Sequence, residues 1–268
     1  MTNITDYEET LVAFVDFLGF SEASLDLDEQ KRVEVLDLLR ALVALRSEFS
    51  VTAQEGPGSK AHFIRPAISI FSDHIVISFG LETLRKVLSE DATTLFAFAQ
   101  LTDLVGVIAS QALRLGFLIR GGATIGKLYH ARGVVFGEAL VEATQLEART
   151  AVYPRLILSP AAAARLQKPK HPFLKLEDDG IFCADYMHPM LHKSAVPGNE
   201  WAANVKRWFV EVIPIVQAAL ETHARSGRLN ELAKWTWFAR RFRAMMQALP
   251  PPALTALGVS GDDIPWGK

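Results

Sequence analysis

Hydrophobic and polar positions alternate along the chain in runs that predict strands and helices in mixed order. The first run, Thr10 to Phe17, has the length and composition of a buried strand and stops at a glycine-containing turn. Residues 28 to 49 carry apolar side chains mostly three or four positions apart, which predicts an amphipathic helix. The glycine- and proline-containing segment 51 to 60 predicts a loop.

Two pairs of apolar runs further along predict β-hairpins. The runs 66–71 and 74–79 are separated only by Ser72 and Asp73, which predicts a tight hairpin with an acid at its tip. The other predicted elements are a helix over 81–115 broken near 89–94, a hairpin of 117–126 with 133–136, a helix after Gly137, a strand over 156–158, a short helix over 160–167, paired strands over 173–176 and 181–186, and helices over 200–223 and 229–249.

This order of elements predicts an α+β or mixed-sheet domain over residues 1–190, followed by a C-terminal helical extension over residues 191–268. We expect the extension to pack on the same domain or at a dimer interface. Its segment 234–243 mixes aromatic and basic residues, as a nucleic-acid surface can. The helical spacing of its apolar residues instead predicts a helix that packs Trp235, Phe238 and Phe242 inward.

Length and composition then limit the class of protein. A chain of 268 residues with 50% hydrophobic content is long and apolar enough to fold around a sizeable core. The stretch of eighteen uncharged residues from Ala244 to Gly261 contains three consecutive prolines, so it does not predict a membrane-spanning helix. The first ten residues carry acids where a signal peptide has a basic end. We therefore expect a cytoplasmic protein without membrane insertion.

The net charge of −2 argues against stable binding of nucleic acid, which needs a basic surface. Residues 1–50 carry eleven acids and four bases, whereas residues 199–248 carry eight bases and four acids. We interpret this asymmetry as two solvated helical faces, with head-to-tail self-association as the alternative. Since Cys183 is the single cysteine, a metal in this protein is expected to be held by oxygen ligands.

Two acids stand out by their positions. Asp16 lies at the end of the first strand, and Asp73 lies at the tip of the first hairpin. Each alone is typical of a turn acid. If the strands are neighbours in one sheet, however, the two carboxylates converge, and such a pair favours a hard divalent cation. The turn after Asp16, running into a helix, would offer backbone N–H groups to phosphates.

Three segments and the helix after them together resemble a known family. AFVDFLGFS, FSDHIVIS and IRGGATIGKLYHARGVVFGEAL resemble, in that order, segments of class III nucleotide cyclase catalytic domains, and most closely those of the pyrimidine cyclases of bacterial Pycsar anti-phage systems. The resemblance covers about residues 10–160, and it is specific in order and spacing although each motif alone is weak. It implies a ferredoxin-like βαββαβ core with a mixed or antiparallel sheet flanked by helices.

The resemblance also implies a chemistry. Asp16 and Asp73 match the two metal-binding aspartates, which hold two divalent ions, Mn²⁺ or Mg²⁺, and are counted among the catalytic residues. The turn that holds the β and γ phosphates through its amides is matched by Phe17, Leu18, Gly19, Phe20 and Ser21. The implied reaction is in-line attack of the ribose 3′-oxygen on the α-phosphorus, with diphosphate as the leaving group.

The helix after Gly137 departs from the family pattern. Purine cyclases have an Asn and, four residues later, an Arg that stabilise the transition state, and here Val141 and Gln145 occupy those positions. Gln145 can donate hydrogen bonds but carries no charge. Arg149 or Lys175 could supply a cation, unless both are solvated surface bases. Arg120 matches the basic residue that opens a strand of the family, and we interpret it as structural.

Two positions bear on the choice of base. Ser69 replaces a Lys that reads adenine, and Val134 replaces the acid that reads a purine, so purines would lose their matched hydrogen bonds. We favour UTP as the substrate and leave CTP open. His130 is interpreted as a turn or edge histidine. His188 and His192 flank a proline that spoils the helical geometry of a metal-binding pair.

The sequence as a whole favours a pyrimidine cyclase that acts as a symmetric homodimer. By resemblance, the metal acids come from one subunit and the helix after the second hairpin from the other. The cyclic nucleotide would act on a separate effector protein in antiviral defence. Two alternatives stay open: a purine cyclase, and an inactive cyclase-fold module that binds a nucleotide or a partner. Val141 and Gln145 favour the inactive module, whereas Asp16 and Asp73 argue against it.

Overall fold

A computed structural model describes residues 7–20, 25, 28–48, 51–53, 62–168, 170–187 and 200–247. The strands and helices of this part of the chain are, in order, β1 (Tyr7–Leu18), α1 (Glu29–Glu48), β2 (Val51–Ala53), β3 (His62–Ile64), β4 (Ala67–Phe71), β5 (His74–Gly80), α2 (Leu81–Leu84), α3 (Glu90–Arg114), β6 (Leu118–Ala131), β7 (Val134–Phe136), α4 (Glu138–Thr150), β8 (Leu156–Leu158), α5 (Pro160–Leu166), β9 (Leu174–Leu176), β10 (Phe182–Ala184), α6 (Glu200–Ser226) and α7 (Leu229–Gln247).

The main sheet has eight strands in the order β4-β5-β1-β6-β8-β10-β9, with β7 paired to β6. Its centre is antiparallel, because β1 pairs with both β5 and β6 in that direction. The pairing of β6 with β8 is parallel, so the sheet is mixed. The predicted α+β class with a mixed sheet is confirmed, as is the hairpin of β4 and β5. In the second predicted hairpin, β6 continues past residue 126 to Ala131 and pairs with β7 through residues 129–131.

The central strand β1 is buried on both faces of the sheet, and its successive side chains point alternately to one face and the other. Leu11, Ala13 and Val15 belong to the main hydrophobic cluster, on what we call the core face. Val12 and Asp16 point to the opposite face, together with the residues that pair with them on β5 and β6. We call this second face the site face.

The long helix α3 covers the core face. Its buried side chains include Leu101, Leu104 and Val105, which belong to the main cluster. In the described part of the chain, α3 is the one helix whose length and hydropathy would suit a membrane span, and 61% of its apolar window is buried inside the protein. That burial is the pattern of a core helix.

The C-terminal helices complete the same core. Trp208 and Val212 of α6 and Trp235, Phe238 and Phe242 of α7 are buried in the cluster that also holds the sheet residues. The predicted inward packing of the α7 aromatics is therefore confirmed. The predicted boundary at residues 190 and 191 lies outside the described residues.

Helix α4 packs against the site face through close contact with two glycines of β6. A Cβ atom on Gly122 would lie 2.4 Å from the carbonyl oxygen of Ala143, and one on Gly126 would lie 3.2 Å from Cβ of Ala139. Since no side chain separates them, the helix backbone approaches the strand closely. This contact sets the position of α4 beside β1 and β6.

Two details differ from the sequence-based expectations. Residues 51–53, predicted as part of a loop, form β2 and pair with β3. The break in the helix over 81–115 was predicted near residues 89–94, but α3 already begins at Glu90. Thr93 favours a non-helical turn by propensity, yet it is buried, and its hydroxyl donates to the carbonyl of Ser89, so tertiary packing keeps it helical.

Candidate metal and nucleotide site

The two predicted metal-binding acids converge on the site face. Asp16 lies near the end of β1, directly opposite His74 in the register with β5. Asp73 lies in the two-residue turn before β5, where Ser72 has a positive φ of 57°. The backbone N–H of Phe17 donates to the carbonyl oxygen of Asp73 at 3.1 Å, which ties the hairpin turn to β1. The prediction that the two strands are neighbours is confirmed.

His74 lies between the two acids. Its Nε2 is 3.5 Å from Oδ1 of Asp16, and its Nδ1 is 3.1 Å from Oδ1 of Asp73. The ring packs 5.0 Å from the ring of Phe14. Sequence reasoning did not select His74, although its position next to Asp73 at the start of a strand was a usable signal once the register with β1 was known.

This cluster has donors that fit a divalent metal ion. One ligand atom from each of Asp16, Asp73 and His74 lies within 4.8 Å of the other two. The acids are only 8% and 7% exposed, and two buried carboxylates at close range repel unless a cation neutralises them. Carboxylate oxygens suit Mg²⁺ and Mn²⁺, and an imidazole suits first-row transition ions. In the described part of the chain, this is the one such cluster found.

Arg120 contacts the cluster from β6. It pairs with Asp16 in the register, and its Nε lies 3.2 Å from Oδ2 of Asp16. The same nitrogen forms an ion pair of 2.6 Å with Oε1 of Glu147 on α4. Burial raises the pKa of the Glu147 carboxyl above its usual value. Arg120 therefore divides its charge between two acids. This contact with α4 fits the interpretation of Arg120 as a structural residue, but Arg120 also contacts Asp16, a predicted metal ligand.

The turn after Asp16 begins later than predicted, because Phe17 and Leu18 still belong to β1. Gly19 has a φ of 82°, which favours glycine. Because the amide of Phe17 is bonded to Asp73, the amides offered to phosphates would have to come from later residues. The side chain of Phe20 packs against Phe117 in the core. Ser21 lies outside the described residues.

A cavity of about 230 Å³ adjoins this turn. Leu18 and Gly19 line it from the sheet side, Arg228 lines it from the turn between α6 and α7, and Glu231 and Lys234 line it from α7. The helical extension thus places basic side chains near the predicted phosphate turn.

Within one chain, the remaining predicted catalytic residues do not join the acids. Val141 is 54% exposed, and Gln145 and Arg149 are exposed on α4 as well, while Glu147 faces the sheet. Lys175 lies on the edge strand β9, where it forms an ion pair with the buried carboxylate of Asp185. This strand is four positions from β1 in the sheet, or roughly 19 Å at the usual strand spacing.

Of the two positions predicted to bear on the base, Ser69 contacts His130, whereas the side chain of Val134 points to the opposite face of the β6–β7 hairpin. Ser69 is buried, and its Oγ is 2.9 Å from Nε2 of His130. On the other side of the ring, Nδ1 is 2.7 Å from Oγ of Ser78. Val134 is 53% exposed at the start of β7, where it pairs with Ala131. Sequence reasoning treated His130 as a turn or edge residue and missed its two serine contacts. His188 and His192 lie outside the described residues.

No family model and no curated protein matches this chain. Among solved structures it is similar to a bacterial light-regulated adenylyl cyclase, with 16% sequence identity and a TM-score of 0.37, over 67% of this chain and 91% of that one. A second structure of a bacterial light-regulated adenylyl cyclase has 16% identity and a TM-score of 0.34, over 68% of this chain and 52% of that one.

Proposed function

We propose that this protein is a nucleotide cyclase that converts a pyrimidine nucleoside triphosphate, preferably UTP, to its 3′,5′-cyclic monophosphate and diphosphate. The observation that carries the proposal is the convergence of two buried carboxylates, Asp16 and Asp73, beside a glycine turn on one face of a sheet. The resemblance of the sequence to pyrimidine cyclases supports the same reaction.

Asp16 and Asp73 would hold two divalent ions, Mn²⁺ or Mg²⁺, with His74 in reach as a nitrogen ligand. Such ions lower the pKa of a hydroxyl group and offset the charge of a triphosphate. Arg120 contacts both Asp16 and Glu147, and it holds the Asp16 carboxylate in position. Amide groups of the turn after Phe17 would donate to the terminal phosphates. The ribose 3′-hydroxyl would lose its proton to water as its oxygen attacks the α-phosphorus in line, and the bond from the α-phosphorus to the bridging oxygen would break, so that diphosphate leaves.

The choice of a pyrimidine follows from the base-reading positions. Ser69 is small and buried, and Val134 is apolar, so neither offers the paired polar groups that a purine edge needs. Uracil and cytosine differ at ring position 4, where one has an acceptor oxygen and the other a donor amine. A single hydroxyl can distinguish them.

A homodimer would complete the site. Val141 and Gln145 are exposed on α4 of the same chain, where they are available to a second copy. In this arrangement, Gln145 and Arg149 of the partner subunit would supply hydrogen bonds and charge to the transition state. Lys175 would also have to reach the site from the partner, since within one chain it pairs with Asp185.

The biological setting is proposed from the resemblance alone. The cyclic nucleotide would act as a cytoplasmic messenger in anti-phage defence, through a separate effector protein. Neither nucleic acid nor a membrane takes part in this scheme.

The decisive experiment offers purified protein each of the four common ribonucleoside triphosphates, with Mn²⁺ and separately with Mg²⁺, and identifies the products by mass spectrometry. We expect cyclic UMP as the main product. Cyclic CMP as the main product would assign the chain as a cytidylate cyclase. Cyclic AMP or cyclic GMP as the main product would overturn the pyrimidine assignment. The absence of any cyclic product would overturn the proposal that the protein is a cyclase.

One observation favours a second candidate, an inactive cyclase-fold module that binds a nucleotide. The uncharged Val141 and Gln145 stand where a purine cyclase has its transition-state Asn and Arg. Calorimetric titration of UTP in the presence of Ca²⁺ separates the two candidates. Tight binding without turnover in Mn²⁺ would support the module.

A further inference from the structure

Three side chains on the site face form a chain of hydrogen bonds through one imidazole ring. His130 of β6 lies between Ser69 of β4 and Ser78 of β5, with its Nε2 2.9 Å from one hydroxyl and its Nδ1 2.7 Å from the other. Both serines are buried. The ring is therefore bonded at both nitrogens to neighbours on a different part of the sheet.

Of the two base-reading positions, Ser69 contacts His130. The Oγ of Ser69 lies 2.9 Å from Nε2 of His130 on the site face. His130 pairs with Val135, whereas Val134 pairs with Ala131, so the side chain of Val134 points to the opposite face of the hairpin. A change in the protonation state of the His130 ring therefore acts on the hydrogen bond of Ser69 and not on Val134.

In the contact between His130 and Ser69, the tautomer of the neutral imidazole decides which of the two groups donates the hydrogen bond. One ring nitrogen is a donor and the other is an acceptor. If Nε2 carries the proton, it donates to Oγ of Ser69, and the hydroxyl hydrogen of Ser69 is available for a ligand. If Nε2 is the acceptor, the hydroxyl donates to His130, and only its lone pairs are left.

These two states suit different pyrimidines. A free hydroxyl hydrogen on Ser69 matches the O4 acceptor of uracil, whereas free lone pairs match the amino donor of cytosine. A hydroxyl of Ser78 that donates to Nδ1 leaves the proton on Nε2, and this arrangement suits uracil. Ser78, which of the three hydrogen-bonded residues lies farthest from the base, would then determine which base is preferred.

We propose that His130 is a positioning residue that sets the direction of the Ser69 hydroxyl, and that Ser78 selects the tautomer of His130 that favours UTP over CTP. This inference rests on the proposed pyrimidine cyclase activity. It adds to that activity a specificity device in which Ser78 acts only through the ring of His130.

The test compares kcat and KM for UTP and CTP in the wild type, Ser78→Ala, His130→Gln and His130→Asn. We expect Ser78→Ala to reduce the UTP preference about tenfold, mainly through KM, because a tenfold change corresponds to about 1.4 kcal/mol, which is within the range of one buried hydrogen bond. His130→Gln keeps an amide near Ser69, and we expect it to retain more of the preference than His130→Asn. Ser226→Ala, at an exposed helix end, is the matched control.

A second readout is independent of turnover. Long-range nitrogen–proton NMR spectra of ¹⁵N-histidine-labelled protein report the tautomer of His130, identified by its absence in His130→Gln. We expect the Nε2–H form in the wild type and a shift away from it in Ser78→Ala. Thermal unfolding shows whether each variant is folded, and Ser78→Ala is the variant least disturbed by the loss of one oxygen atom.

The outcomes are distinguishable. A wild type that makes no cyclic pyrimidine nucleotide removes the proposed function and the inference with it. A wild type that prefers UTP, together with folded Ser78 and His130 variants of unchanged preference, overturns the inference alone. A UTP-specific wild type whose His130 carries its proton on Nδ1 overturns it as well.

Discussion

The two ends of the site face, which we call the metal end and the base end, differ in their charge. At the metal end, Asp16 and Asp73 are buried at close range, and Arg120, the guanidinium in contact with Asp16, is shared with Glu147. At the base end, Ser69, His130 and Ser78 are neutral or can be neutral, and they bond to one another. In the proposed function, a divalent cation adds to the charge of Arg120 at the metal end, whereas the orientation of the hydroxyl and imidazole hydrogens selects the ligand at the base end.

The sharpest test of this contrast is Asp73→Asn, which keeps the shape of the side chain and removes the charge. In the proposed mechanism, loss of a metal ligand removes several kcal/mol of transition-state stabilisation, so we expect activity with UTP to fall about a thousandfold or more. The assay is product formation in saturating Mn²⁺, with Ser226→Ala as the control. Full activity in a folded Asp73→Asn protein would contradict the role given to the metal end.

Gly122→Ala tests the helix that lies over the site face. The added Cβ would clash with the carbonyl oxygen of Ala143 at 2.4 Å and with Cβ of Leu146 at 2.6 Å. We expect a loss of about 1–3 kcal/mol in the free energy of unfolding, measured by urea titration, because overpacking displaces a well-packed helix. Gly126→Ala is the matched control on the same strand, with a milder contact of 3.2 Å. Equal stability of both variants would contradict the close packing of α4.

A double substitution at the base end tests specificity without touching the metal end. Ser69→Lys and Val134→Asp each restore a polar residue that the resemblance assigns to purine reading. Since Ser69 lies on the site face with His130 and Val134 points to the opposite face, we expect Ser69→Lys to raise the ratio of ATP to UTP turnover about tenfold, or about 1.4 kcal/mol in differential transition-state binding, and Val134→Asp to change it less. The double variant is compared with both single variants. An unchanged ratio in folded Ser69→Lys would show that this position does not contact the base.

The smallest expected effect concerns Glu147, which links Arg120 to α4. Because burial raises the pKa of this carboxyl, the folded state holds its proton more strongly than the unfolded state. Its contribution to stability is then fully present below its unfolded pKa and is lost as the pH rises through the folded pKa. Glu147→Gln cannot lose a proton, so we expect its stability to fall less than that of the wild type above about pH 4.5, the unfolded value.

Urea unfolding of both proteins at several pH values from about 4 to 7 measures this difference in slope, which linkage predicts directly. Parallel stability curves would show that the carboxyl is not perturbed by burial. A steeper loss in Glu147→Gln would show that the ion pair with Arg120 outweighs burial.

Much of the fold could be predicted from local patterns. The alternation around Asp16, the two-residue gap at Asp73 and the helical spacing of Trp235 and Phe238 each depend on neighbours within a few residues. Tertiary packing overrode local preference at Thr93, which is buried and helical. The predicted loop over 51–60 failed at its start, because β2 depends on a partner strand beyond the loop.

The candidate site could be predicted only in part, because its contacts join distant segments. The pairing of the two acids was inferred from a resemblance and from the assumption of neighbouring strands, which the register confirms. His74 was missed because its ligand geometry requires the position of Asp16. The charge sharing of Arg120 with Glu147 was missed because α4 reaches the sheet through a glycine contact that periodicity does not report.

The sequence by itself determined most of the elements and the α+β class and marked the two acids by their positions, since these depend on residue type and short-range spacing. Its resemblance to class III cyclases implied the positions at which purine readers are replaced. The tertiary structure decided which of these groups meet. Arg120 reaches Asp16 across 104 residues, and His130 reaches Ser69 across 61. Such contacts follow from strand order and register, which are set by the burial of whole strands, so no local pattern encodes them.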